Sequence, residues 1–129
     1  MKTSTKVLTI FGAVALLAAE SISIAAEAGE LRVRCERRGN KRSKVSVDGR
    51  DVAPGTYLIQ LTSGANTAPQ VTKTVVAPAD EFEADYDSNR ADIRAGATAI
   101  PASFIQGGTV TAVVTGQETL SATVSCRVR

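Results

Sequence analysis

Histidine and tryptophan are missing from this chain, cysteine occurs twice, and the only methionine is the first residue. Without histidine there is no Ser-His-Asp or Cys-His nucleophile, no His-ligated zinc and no imidazole acid–base chemistry. Lys-dependent nucleophiles lack a recognisable motif as well. From Gly29 to Thr56 there is no aromatic side chain, so the stacking platform of a single-strand nucleic-acid binder is lacking there. No Ser/Gly- or Pro-rich linker divides the chain, and no stretch after residue 28 repeats its apolar positions at the helical period.

Long apolar runs are scarce too. Lys2 and Lys6 precede one from Val7 to Ala19, and a less apolar stretch then ends in Ala26-Glu27-Ala28. A basic start, a short apolar core and small residues at the cleavage position form a signal-peptide pattern. The run is too short to cross a bilayer of about 30 Å. Residues 1–28 therefore read as a signal peptide and residues 29–129 as one domain, periplasmic or secreted, with no membrane span after cleavage. No cysteine near the cleavage site could carry a lipid.

Two cysteines in an exported chain point to one bridge, Cys35 to Cys126, tying the first strand to the last. The domain has only four aromatics, Tyr57, Phe82, Tyr86 and Phe104, so its core is thin and the bridge should matter.

What is abundant is alternation at period two, rich in Thr and Val. Leu31, Val33 and Cys35 share one face of a first strand and Arg32, Arg34 and Glu36 the other. Gly39-Asn40 supplies a turn, Val45 and Val47 resume the inward face, and Asp48-Gly49 is expected to turn the chain again. Further strands are expected at Thr56 to Leu61, at Val71 to Val76 between Pro69 and Pro78, and at Glu81 to Asp87. An irregular stretch from Asp87 to Gly108 should precede a last hairpin, Thr109 to Thr115 and Thr119 to Val128, which would point Cys126 inward. Whether the bridge runs within or across sheets stays open.

Ala53-Pro54-Gly55-Thr56-Tyr57-Leu58 resembles the strand entry of bacterial immunoglobulin-like and fibronectin-like β-sandwich modules. The buried Trp and the cysteine spacing of antibody domains are missing, so no site is carried across. The expectation is an all-β, immunoglobulin-like antiparallel β-sandwich of about seven short strands closed by one disulfide. Such modules are mostly binding or structural units, which the resemblance implies here.

Charge is nearly balanced but unevenly placed. Residues 29–50 hold eight Lys/Arg against three Asp/Glu, and residues 80–92 hold six Asp/Glu against one Arg, so the two segments differ by ten charges. The first suggests an anion-binding hairpin using Arg37, Arg38, Lys41, Arg42 and Lys44, with a solvated edge strand as the plainer reading. The second places Glu81, Glu83, Asp85 and Asp87 on one strand face, continuing to Asn89 and Asp92. Asp85-x-Asp87-x-Asn89 resembles the opening of an EF-hand loop, but Arg90 replaces the turn glycine and Gly96 the bidentate glutamate. Ca2+ could use these oxygens in another geometry. It is not required, because same-face carboxylates about 7 Å apart in water repel by only about 0.6 kcal/mol. The two segments could also meet, within one molecule or head to tail in a weak assembly.

The sequence thus predicts no enzyme and no cofactor, with Ca2+ as the alternative. It predicts an exported binding or structural module whose partner is a protein or an anionic polymer; nucleic acid is not expected.

Overall fold

The computed structural model describes residues 29–78 and 80–129, so the signal-peptide segment lies outside the described residues. Alternation becomes strands β1 (Glu30–Arg38), β2 (Arg42–Val52), β3 (Gly55–Ser63), β4 (Asn66–Thr67), β5 (Val71–Val75) and β6 (Asp80–Asp87). A short helix α1 (Arg90–Arg94) and strands β7 (Thr98–Ala99), β8 (Thr109–Thr115), β9 (Leu120–Ser125) and β10 (Arg127–Val128) complete the order. Among these ten strands, seven have five or more residues, and β4, β7 and β10 are two-residue additions.

The strands form a two-sheet sandwich. One sheet runs β10-β1-β2-β6-β7; in the other, β3 pairs with β4, β5 and β8, and β9 follows β8. All pairings are antiparallel except β1 with β10 and β6 with β7. Inward positions of both sheets supply the core, including Val45, Val47, Tyr57, Ile59 and Leu61, all fully buried. Each such aliphatic side chain stabilises the fold by about 1.5–3 kcal/mol relative to exposure. The Tyr57 and Phe82 rings stack across the sheets at 5.5 Å between centroids. Among the described residues no helix is long and apolar enough to cross a membrane.

Three expectations change. Asp48-Gly49 is not a turn: β2 continues through it to Val52, with a register shift against β6 between Gly49 and Val52. Gly49 lies under the Phe82 ring, where an added Cβ would stand 2.2 Å from Cε2. The stretch after Asp87 is not wholly irregular. Asn89 caps α1, its side chain accepting from the backbone N–H of Ala91 and Asp92, and β7 then returns to pair with β6. Finally, the last strand is divided at Cys126. β9 belongs to the second sheet and β10 to the first, so the disulfide of Cys126 with Cys35 on β1 sits where the chain crosses between sheets.

Candidate functional site

The outer face of the β10-β1-β2-β6-β7 sheet carries most of the charge singled out in the sequence. Period two turns Arg32, Arg34 and Glu36 of β1 away from the core, and Lys44, Ser46 and Asp48 of β2 and Glu83, Asp85 and Asp87 of β6 follow in register. Three rows result: Arg32–Asp48–Glu83, Arg34–Ser46–Asp85 and Glu36–Lys44–Asp87. The basic hairpin β1–β2 and the acidic strand β6 therefore meet within one molecule, side by side on one face, with β2 directly against β6. β1 and β6 stand two strand spacings apart, about 10 Å.

Arg42 is the main link between them. Its Nε donates to Asp87 Oδ1 at 2.9 Å, and its guanidinium also reaches Asp87 Oδ2 at 2.7 Å and Asp92 Oδ2 at 2.8 Å. Burial pushes the Asp87 carboxyl up, but the Arg42 hydrogen bonds, the Asn89 N–H and the nearby Arg42 and Lys44 charges outweigh it and hold the group below its usual range. The Arg42 guanidinium is correspondingly raised, first by its hydrogen bond to Asp87. Elsewhere on the face Arg34 donates to Asp48 Oδ2 at 3.1 Å, and the Ser46 hydroxyl to Asp85 Oδ1 at 2.9 Å.

The predicted anion-binding set is divided by the fold. Arg38, Lys41 and Lys44 are exposed, whereas Arg42 is committed to Asp87 and Asp92. Arg37 is half-buried on the opposite side of β1. Two cations that the sequence reading missed join from the far end of the chain. β10 pairs in parallel with β1, Glu36 opposite Arg127, and the Arg129 N–H bonds Arg37 O at 2.9 Å. Glu36 is held below its usual range, first by its hydrogen bond from Arg38, with Arg129 and Arg127 adding to the effect. Alternation in the C-terminal segment gave no sign of this, because Arg127 and Arg129 become neighbours of β1 only through the sheet crossing at Cys126.

The predicted cation-binding oxygens are likewise separated. Glu81, Glu83 and Asp85 are exposed along β6; Asp87 and Asp92 hold Arg42, and Asn89 Oδ1 caps α1. Among the described residues no three acidic or otherwise metal-ligating side chains converge as a metal site would require.

Between the basic and acidic columns the face is concave, an open trough of about 840 Å3. It is lined by Arg34, Lys44, Lys73 and Arg127 as well as Glu36, Glu83, Asp85, Asp87 and Asp92, with Ala95–Ala97 after α1 at one wall. Comparison with protein-family models, with curated proteins and with solved structures gives no match to this chain.

Proposed function

We propose that the protein is an exported, non-catalytic binding module whose ligand is an anionic polymer or anionic surface, held along the β10–β1–β2 side of the charged face. The observation that carries this reading is the pairing of β10 with β1. It adds Arg127 and Arg129 to Arg32, Arg34, Arg38, Lys41 and Lys44, seven exposed cations on three adjacent strands and the residues that adjoin them. On those strands Glu30, Glu36, Asp48 and Asp51 oppose them, and Glu36 and Asp48 are already ion-paired.

A field of this kind attracts extended anions and weakens with salt. The acidic β6 column lies about 10 Å from β1, close to the screening length at physiological ionic strength, but only about 5 Å from β2, where Lys44 stands opposite Asp87. It therefore confines an anionic ligand to the β10–β1 side, where its repulsion is largely screened, while Lys44 on β2 is partly offset by Asp87. The non-catalytic part of the reading is supported by the carboxylates. Asp87 and Glu36 are both shifted downward, opposite to what a general acid requires.

Retention of the purified protein on sulfated and on aminated resins tests the polarity. Elution from the sulfated resin at higher salt than from the aminated one is expected, and charge reversal at Arg34 and Lys44 should abolish the difference. Equal retention on both, or preference for the aminated resin, would refute the reading.

A further inference from the structure

Glu118, in the turn between β8 and β9, has no Lys or Arg ion-pair partner among the described residues. It is half-buried, and both carboxylate oxygens are spent on backbone N–H groups at the ends of other strands. Oε1 accepts from Gly29 N at 2.6 Å and Oε2 from Ala53 N at 3.1 Å. Gly29 is itself closely seated: an added Cβ would stand 2.7 Å from Val52 Cγ1, 3.1 Å from Arg50 O and 3.2 Å from Glu118 Oε1. Only glycine fits this socket without displacing its walls.

Gly29 is also the residue that follows Ala26-Glu27-Ala28, the small-residue pattern at which export processing would cut. We infer that Glu118 is the binding site for the α-ammonium group of the processed chain. Hydrolysis of the Ala28–Gly29 peptide bond adds water, leaving a carboxylate on Ala28 and an amine on Gly29 that takes up a proton. The neutral N–H facing Glu118 thereby becomes a cation with three donors. Maturation supplies the missing counter-ion and locks the start of β1 to the β8–β9 turn and to the end of β2. This inference rests on the export reading.

The other titratable groups at the socket are few. The Tyr57 hydroxyl donates to Ala53 O at 2.7 Å, and its ionisation is pushed up, first by burial and then by the Glu118 charge. Arg50 presents its carbonyl, and Arg50, Asp51 and Glu30 have exposed side chains. Glu118 is therefore the one carboxylate in direct contact with the amine.

An α-amino group ordinarily titrates at about 7.7–8.0. Pairing with Glu118 should raise that value by about one unit, a tenfold tighter proton. A raised folded-state value gives a stability contribution that is fully present below the ordinary value and is lost as pH rises through the folded one.

The test uses full-length precursor exported and processed by a host cell, labelled with 13C-glycine, as wild type and as Glu118→Gln. Intact mass should show a chain beginning at Gly29, and the Gly29 Cα resonance should titrate about one unit high in wild type and at the ordinary value in Glu118→Gln. An ordinary value in the wild-type protein overturns the inference and leaves export intact, even if the variant fails to fold. A mature chain beginning elsewhere overturns both the cleavage position and the inference.

Discussion

Arg42 and Asp87, forty-five positions apart in sequence, form a two-point hydrogen-bonded ion pair at 2.9 and 2.7 Å, with the Asp87 side chain only 2% exposed. The pair joins the basic hairpin to the acidic strand at the base of the charged face, and Asp92 from α1 closes it from the other side.

Arg42→Met leaves the Asp87 charge buried without its partner. The expected loss is about 3 kcal/mol, the lower end for breaking a buried pair because the Arg42 side chain keeps some contact with solvent. Urea unfolding at neutral pH measures it. The pair also fixes the acid response. Because Asp87 titrates below its ordinary value when folded, its contribution is present above about pH 4 and is lost as pH falls through the folded value. Wild type should therefore lose stability below about pH 4, and Arg42→Met should lose less on the same descent.

The Cys35–Cys126 bridge closes a separation of 91 residues. Loop-closure entropy gives about 4–5 kcal/mol for a loop of that size, an upper figure because the reduced chain keeps residual structure. The double replacement Cys35→Ala/Cys126→Ala should lower the unfolding midpoint accordingly, and wild type under strong reductant should match it. Identical midpoints with and without the bridge would contradict a stabilising role for it.

Gly49→Val forces a side chain into the Phe82 ring and should cost about 1–3 kcal/mol. The double variant Gly49→Val/Phe82→Ala should lose less stability than the sum of the two single losses, because the ring that the new side chain strikes is gone, so the two sites should couple in a double-mutant cycle. Strict additivity would show that the ring does not rest on Gly49.

Tyr86 is fully buried, and its hydroxyl has no hydrogen-bond partner among the described residues. Burial raises its ionisation to about 12. Tyr86→Phe removes an unsatisfied polar atom without opening a cavity, so stability should stay level or rise by up to about 1 kcal/mol. A clear loss in thermal unfolding would reveal a partner that the packing does not show.

Much of the fold is legible in the chain because alternation reports which residues face the core. The β1–β2 turn at Gly39-Asn40, β5 between its prolines and the Phe82-Ala84-Tyr86 face of β6 all follow from it. Gly49 misleads because Asp48-Gly49 has turn composition, while its actual constraint, a ring lying over the backbone, comes from a residue 33 positions later. α1 is too short to display a period, and only the Asn89 cap marks it. The site was legible as two charged segments, but their placement on one face depends on β2 pairing with both β1 and β6. The contribution of Arg127 and Arg129 depends on the crossing at Cys126. Such pairings are long-range and leave no local pattern.

The most direct measurement is the dissociation constant for a sulfated polysaccharide across a range of NaCl concentrations, for wild type and for Arg127→Glu/Arg129→Glu. Binding that weakens steadily with salt in wild type, and that is at least about tenfold weaker in the variant at low salt, is expected if β10 completes the basic surface. Salt-independent binding, or a variant that binds as wild type does, would contradict it.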